Sequence, residues 1–227
     1  AGCVPLPSSA QLTEEEADFL LADSGARMLA MTEELAIRSP PGVRVLGPAD
    51  VAALRARYEP LDYADTAADA PAFLIYTSGT TGQPKGVLHA QRSAWGRRPM
   101  YQGWYGIRPD DVILHAGAFN WTYTLGVGLT DPWANGATAV LYNGPRDVTV
   151  WPLLMAKFRA TLFAAVPGLY RQILKYNDLN AFDLSSLRHG LTAGEALSTA
   201  LLEQWRATTG KELYEALGMS ECSTYVS

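Results

Sequence analysis

From residue 112 onward, short apolar runs alternate with longer amphipathic stretches. The short runs predict buried strands, and the stretches between them have the length and periodicity of helices. Strands are predicted near residues 112–115, 138–142, 161–166, 189–192 and 212–217, and helices near 151–159, 168–176 and 198–209. Because buried strands joined by helices form parallel sheets with right-handed crossovers, we predict an α/β protein with mainly parallel sheets and helices on both faces.

The first part of the chain contains a clear helix start. Thr13 and Glu16 have the spacing of a capping box, an apolar face follows, and Gly25 stands where a helix would end. A strand at 27–31, a second at 43–46 and a helix at 50–57 are predicted after it.

Composition narrows the classes of function. The chain has 227 residues, 48% of them hydrophobic, and a net charge of −5 without a dense basic cluster. Nucleic acid is therefore an unlikely partner, whereas a sizeable core is expected. The N-terminal residues lack the pattern of a signal peptide and no apolar run has the length of a membrane span, so we expect a cytoplasmic protein. Cys3 and Cys222 lack disulfide-framework or zinc spacing.

A segment rich in glycine and hydroxyl side chains follows a strand predicted at 73–75. Glycines let the backbone approach an anion, hydroxyl groups donate hydrogen bonds, and a lysine supplies positive charge. The segment therefore predicts a phosphate-binding loop. A Walker-type loop is disfavoured, because Pro84 stands where that motif has glycine and Gly86 follows the lysine. The predicted binding residues are Thr77, Ser78, Gly79, Thr80, Thr81, Gly82 and Lys85.

Two later segments follow predicted strand ends, where ligands bind on open α/β sheets. In the first, Gly194, Glu195 and Ala196 form a turn whose backbone could approach a flat ring, although the segment taken alone favours an ordinary strand-to-helix turn capped by Ser198. In the second, a carboxylate follows a strand-breaking glycine and a hydroxyl, which suits a magnesium ion bridging phosphates. Its residues are Gly218, Met219, Ser220 and Glu221.

Together, these segments resemble the adenylate-forming superfamily, which contains the acyl-CoA synthetases, firefly luciferase and the adenylation domains of peptide synthetases. The loop from Thr77 to Lys85 is similar to the phosphate-loop signature over its full length, Gly194 to Ala196 to the adenine-contacting segment, and Gly218 to Glu221 to the G-x-[ST]-E motif. The resemblance implies that ATP and Mg²⁺ bind here, with Lys85 and Glu221 as catalytic residues and Glu221 as the metal ligand.

The resemblance also implies a substrate and a reaction. A fatty or aromatic carboxylic acid would react with ATP to give acyl-AMP, and the acyl group would pass to coenzyme A. The substrate pocket would be bordered by Asn120, Trp121 and Gly218. Asn120 departs from the aromatic residue or histidine that the family has there, which leaves the acid open, and the loop could equally pack beneath the sheet.

Family members are far longer, so the chain resembles a middle portion of their large N-terminal domain. Residues 1–110 would form part of a first α/β subdomain that ends in the phosphate loop and a following helix, and 111–227 a second subdomain. The C-terminal domain with a catalytic lysine is expected to be absent, and the chain alone is expected to be inactive. Two alternatives stay open: an adenylation domain that loads a carrier protein, and a non-catalytic nucleotide-binding module. The oligomeric state is also open.

The three histidines are predicted to be structural. His89 is expected just after a helix entry that follows the phosphate loop, whereas His115 and His189 lie in strand patterns. None of them has a serine or cysteine nucleophile at a recognisable spacing.

Overall fold

The structure is a computed structural model that describes residues 2–32, 41–57, 59, 62–77, 83–145 and 147–226. Its strands are β1 (Met28–Ala30), β2 (Arg44–Leu46), β3 (Pro71–Thr77), β4 (Lys85–Ala90), β5 (Val112–His115), β6 (Thr138–Val140), β7 (Leu162–Ala165), β8 (His189–Ala193), β9 (Glu212–Met219) and β10 (Ser223–Val226).

The α-helices are α1 (Glu14–Ser24), α2 (Pro48–Ala56), α3 (Arg92–Gly96), α4 (Arg98–Met100), α5 (Thr122–Leu125), α6 (Asp131–Ala134), α7 (Val150–Lys157), α8 (Pro167–Tyr176) and α9 (Thr199–Thr209). Two π-helical turns, Tyr101–Tyr105 and Gly126–Thr130, and a 3₁₀ turn, Leu179–Ala181, complete the helical elements of the described residues. Within those residues, no helix is long and apolar enough to cross a membrane.

The main sheet has six strands in the order β10-β9-β8-β7-β5-β6. The pairs from β6 to β9 are parallel, and β10 closes the edge as an antiparallel strand. Apolar side chains cover both faces. Leu114, Phe163 and Leu213 pack with residues of α7, α8 and α9, whereas Ile113 and Leu191 belong to a second core with the segment around Tyr105. The predicted α/β class, with helices on both faces, is confirmed.

Helix α1 begins as its sequence predicts. The backbone N–H of Glu16 donates to the Thr13 hydroxyl at 3.2 Å, and the Glu16 carboxylate accepts from the backbone N–H of Thr13 at 2.8 Å. Gly25 ends the helix with a φ of +63°, a left-handed conformation that favours glycine. The strands predicted at 27–31 and 43–46 are β1 and β2, which form a separate parallel pair.

The phosphate-loop segment belongs to an antiparallel hairpin outside the main sheet. Strands β3 and β4 pair with each other from Phe73 and His89 to Thr77 and Lys85. The prediction that a helix begins between the phosphate loop and His89 is wrong, because the chain continues after the loop as β4. Its N–H and C=O groups pair with β3, and the next helix, α3, begins at Arg92.

A buried carboxylate fastens the amino ends of three strands. Asp111, which precedes β5, accepts hydrogen bonds from Arg188 at 2.6 Å, from the Thr161 hydroxyl at 2.7 Å and from the backbone N–H of Arg108 at 2.7 Å. Arg188 also donates to the carbonyl of Gly106 at 2.9 Å. Since Thr161 and Arg188 immediately precede β7 and β8, this cluster holds β5, β7 and β8 together at the end opposite their loops.

A second buried ion pair supports the helical layer over the sheet. Arg97 donates two hydrogen bonds to Asp131, at 2.8 and 2.5 Å, and the Tyr105 hydroxyl donates to the same carboxylate at 2.5 Å. Burial beside this carboxylate raises the pKa of Tyr105, so its hydroxyl stays a donor. Gly126 makes room for the arginine, because a Cβ there would lie 2.4 Å from its guanidinium.

Candidate active site

The loops that follow β5, β8 and β9 lie at one edge of the sheet. The register aligns His115 of β5 with Ala164 of β7, and Ala193 of β8 with Ala216 of β9. Because these strands are parallel, their carboxyl ends open toward the same side. The edge therefore carries the loop with Asn120, the turn at Gly194 and the turn at Glu221.

The predicted phosphate loop is flanked by a matched pair of residues. Thr77 ends β3, Lys85 begins β4, and the two are register partners. Lys85 is exposed, as a cation that meets a phosphate needs to be. The loop residues Ser78, Gly79, Thr80, Thr81 and Gly82 lie outside the described residues, so their assignment stays a prediction.

A hydrogen bond joins this hairpin to the turn after β9. Nε2 of His89 lies 2.7 Å from the carbonyl oxygen of Ser220, although the two residues are 131 positions apart. Ser220 precedes Glu221, which stands exposed in the turn between β9 and β10. This hydrogen bond therefore joins the strand that carries Lys85 to the turn that carries Glu221, the two predicted catalytic residues.

Glu221 meets the minimum demands of a magnesium ligand. Among the described residues, no group of three histidine, cysteine, aspartate or glutamate side chains could hold a metal ion. Mg²⁺ nevertheless binds to proteins through one or two carboxylates together with substrate phosphates and water. An exposed carboxylate joined to the phosphate-loop hairpin fits that requirement.

The turn after β8 is shaped by its glycine and by a distant carboxylate. Gly194 has a φ of +93°, which L side chains rarely adopt. The backbone N–H of Leu197 donates to Glu215 of β9 at 2.7 Å, and Ser198 then caps α9 by accepting from Leu201 at 3.3 Å. The strand-to-helix turn, with Ser198 as the N-cap of α9, is thus confirmed. Adenine binding by Gly194, Glu195 and Ala196 stays a prediction.

A small cavity adjoins the hairpin. Its volume is about 120 Å³, and it brings Asn120 beside Thr77 and Pro84. The rest of its lining is Pro7, Ser8, Ser9, Leu12, Glu16, Leu20 and Tyr76. Within the described part of the chain, Trp121 and Gly218 do not line this cavity. Trp121 is instead exposed at the surface, so a pocket shared by Asn120, Trp121 and Gly218 stays a prediction.

His115 and His189 are packed as structural residues. Burial lowers the pKa of His115 from 6.5 to about 3, which keeps the ring neutral, and its Nδ1 accepts from the N–H of Gly117 at 2.9 Å. His189 contacts the carbonyl of Tyr105 through Nε2 at 2.9 Å.

Sequence reasoning missed the roles of His89 and Glu215. The alternation of strand residues could have indicated His89, because Lys85, Val87 and His89 share one face once the segment is read as a strand. No sequence signal indicates Glu215, whose partner at Leu197 is known only from the sheet register.

Comparison with known proteins places the chain in a family. The family model for AMP-binding enzymes matches residues 1–227. Benzoate-CoA ligase of Thauera aromatica is 32% identical over 97% of this chain and 44% of its own length, and the human mitochondrial acyl-coenzyme A synthetase ACSM5 is 32% identical over 97% and 41%. The chain spans less than half the length of the curated relatives that it matches.

Solved structures agree with these matches. A benzoate CoA ligase from Burkholderia xenovorans LB400 superposes with a TM-score of 0.86 at 27% identity, over 96% of this chain and 46% of that one. The anthranilate CoA ligase AuaEII in complex with anthranoyl-AMP gives 0.84 at 27%, over 94% and 44%. The family model, the relatives and the fold together show that this chain belongs to the AMP-binding family of adenylate-forming enzymes.

Proposed function

We propose that the protein carrying this chain activates a fatty or aromatic carboxylic acid with ATP and transfers the acyl group to coenzyme A. The observation that carries the proposal is the hydrogen bond between His89 and Ser220, which joins the hairpin of Lys85 to the turn of Glu221. Family membership supports it, as do relatives that are named benzoate-CoA ligase and acyl-coenzyme A synthetase.

The reaction has two steps. A carboxylate oxygen of the acid attacks the α-phosphorus of ATP, and the bond to the leaving pyrophosphate breaks, which gives acyl-AMP. The thiol sulfur of coenzyme A then attacks the acyl carbon, the thiol proton is released to solvent, and AMP leaves. Since the nucleophile belongs to a substrate, this part of the protein acts by positioning the reactants and by neutralising charge.

Lys85 and the loop hydroxyls are assigned to the phosphates. Negative charge builds on the β- and γ-phosphates as pyrophosphate departs, and a lysine with hydroxyl and backbone donors stabilises that charge. The loop from Thr77 to Gly82 would supply the donors. Lys85 begins β4, so its backbone is anchored by the pairing with Thr77 of β3.

Glu221 is assigned to the magnesium ion that accompanies ATP. When bound, the ion would supply positive charge to the phosphates, and the Glu221 carboxylate would offer it the hard oxygen ligand that it prefers. We assign Gly194, Glu195 and Ala196 to adenine contacts, with Met219 and Ser220 at the same nucleotide, and Asn120, Trp121 and Gly218 to the acid.

The experiment compares two lysine substitutions in the intact protein that carries this sequence. Lys85→Ala should lower acid-dependent ATP-pyrophosphate exchange by about 30- to 1000-fold, because one lost charge-assisted contact is equivalent to about 2–4 kcal/mol in the transition state. Lys157→Ala is the control, since Lys157 ends α7 shortly before the amino end of β7, whereas the candidate site lies at the carboxyl ends of the parallel strands.

Thioester formation from benzoate, butyrate and acetate is measured in parallel with coenzyme A present. An unchanged exchange rate in Lys85→Ala would remove the loop from the mechanism. Exchange that proceeds without any thioester would reject coenzyme A as the acceptor.

A further inference from the structure

His89 shares one face of the hairpin with the lysine at its loop end. Side chains alternate along a strand, so Lys85, Val87 and His89 project to the same face of the hairpin. Their register partners on β3, namely Thr77, Ile75 and Phe73, project to that face as well. Four residues of strand place Lys85 about 13 Å from His89. His89 thus lies near the end of β4 that is remote from Lys85, on the same face of the hairpin.

The imidazole of His89 is held in one orientation. Its ring stacks on Phe73 with the centroids 4.4 Å apart and the planes 10° from parallel, and only 7% of the residue is exposed. Nε2 lies 2.7 Å from the Ser220 carbonyl oxygen. A carbonyl oxygen only accepts hydrogen bonds, so Nε2 carries a hydrogen and donates the hydrogen bond.

The accepting carbonyl belongs to the peptide bond between Ser220 and Glu221. A hydrogen bond to this oxygen fixes the orientation of the peptide plane, and with it the backbone from which the Glu221 side chain departs. The turn is also closed by the N–H of Cys222, which donates to the carbonyl of Met219 at 3.3 Å. One bond thus closes the turn, and the His89 bond ties it to the hairpin.

The hairpin is backed on its other side by α1. The Tyr76 hydroxyl donates to Asp23 at 2.6 Å, and the rings of Tyr76 and Phe19 meet edge to face at 6.5 Å. These contacts of α1 restrain the hairpin that carries His89, and His89 in turn restrains the turn through its hydrogen bond.

We propose that His89 is a positioning residue that sets the placement of Glu221 relative to Lys85 and the hairpin during adenylate formation. This inference rests on the proposed function. His89 contacts neither ATP nor the acid in this role; it acts through the Ser220 carbonyl.

The test uses matched variants of the intact protein, with benzoate, butyrate and acetate as acids. His89→Phe keeps a ring for stacking on Phe73 but removes the donor, whereas the amide of His89→Gln can restore the donor. His189→Phe is the control, because it removes a bond of the same kind, to the Tyr105 carbonyl, at the amino end of β8. Circular dichroism and thermal melting establish that each variant is folded.

We expect His89→Phe to lower the kcat of ATP-pyrophosphate exchange about 10- to 100-fold, since a displacement of about 1 Å costs up to two orders of magnitude in rate. The Mg²⁺ concentration for half-maximal exchange should rise at least about threefold, because the displaced group is its ligand, while the KM for the acid stays unchanged. His89→Gln should recover most of both losses, and His189→Phe should lower the melting temperature without changing either quantity.

Two results overturn the inference while the proposed function stands: equal kinetics in His89→Phe and His189→Phe, or a loss in His89→Gln as large as that in His89→Phe. If His89→Phe does not fold, His89→Met, which also lacks the donor and packs adaptably, takes its place under the same criteria. Absence of exchange in the wild-type protein with all three acids overturns the proposed function itself, and the positioning role with it.

Discussion

Replacing Gly190 with alanine would place a methyl group in steric conflict with the Tyr170 hydroxyl. A Cβ at Gly190 of β8 would stand 2.6 Å from that hydroxyl oxygen and 2.9 Å from Cδ1 of Leu213. Tyr170 is fully buried, and its hydroxyl donates to the Phe163 carbonyl at 2.7 Å. The same hydroxyl also lies 3.2 Å from the Leu191 carbonyl oxygen. Because the tyrosine has no free space to enter, the methyl group can be accommodated only if the hydroxyl shifts from these two carbonyls or the strands separate.

The magnitude follows from two terms. Overpacking a closed core costs about 1–3 kcal/mol, and the lost hydrogen bond of a buried hydroxyl adds about 1 kcal/mol. Gly190→Ala should therefore lower the free energy of unfolding by about 2–4 kcal/mol. Tyr170→Phe alone should cost about 1 kcal/mol. In the double variant the hydroxyl is already absent, and the added methyl group meets Leu213 and, less closely, the ring of residue 170. The loss in the double variant should therefore fall short of the sum of the two single losses by about 1 kcal/mol or more.

Urea unfolding of the four proteins, followed by circular dichroism, measures this coupling. Gly103→Ala is the matched control, because nothing lies within 4 Å of the Cβ that it would introduce; it should leave stability unchanged or raise it slightly. If the loss in the double variant equals the sum of the losses in Gly190→Ala and Tyr170→Phe to within about 0.5 kcal/mol, the steric conflict between the added methyl group and the Tyr170 hydroxyl is refuted.

Three further predictions concern charge and backbone geometry. Glu221→Gln should raise the Mg²⁺ requirement of exchange while the ranking of acids stays the same, because the hard cation loses a charged ligand; a changed ranking with unchanged Mg²⁺ dependence would contradict the assignment. Arg159 has a φ of +50°, so Arg159→Gly should raise the free energy of unfolding by up to about 1 kcal/mol, and a lower melting temperature would argue against strain there. Burial holds the pKa of His115 near 3 in the folded state against an ordinary 6.5, so the unfolded chain binds the extra proton and stability falls as pH drops through this range. The loss should be about 2 kcal/mol between pH 7 and pH 5, and His115→Phe, measured by urea unfolding at both pH values, should remove it; an unaltered slope would exclude His115 as its source.

Local signals predicted α1 and the parallel strands well. The capping box at Thr13 and the stop at Gly25 depend only on nearby residues, and buried strands such as β7 and β8 are apolar on both faces because helices cover both sides. Strand β4 was missed because its stability comes from pairing with β3, which a local pattern does not reveal. The π-helical turns at 101–105 and 126–130 follow no α-helical period, so periodicity did not predict them.

The candidate site was predicted in its parts but not in its assembly. The rule that ligands bind at the carboxyl ends of parallel strands predicted a common edge for the segments of Gly194 and Glu221, whereas Asn120 was assigned from the family resemblance alone. The contact of His89 with Ser220 depends on how a separate hairpin packs on that edge. Such packing is set by tertiary contacts, among them the bond from Tyr76 to Asp23.

The Asp111 cluster has a consequence for how such a protein can diversify. It binds the strands together with groups that precede them, namely Thr161, Arg188 and the backbone of Arg108. The loops at the opposite edge take no part in this attachment. Substitutions or insertions there would leave the cluster intact, so these loops could change in small steps while the scaffold keeps its stability.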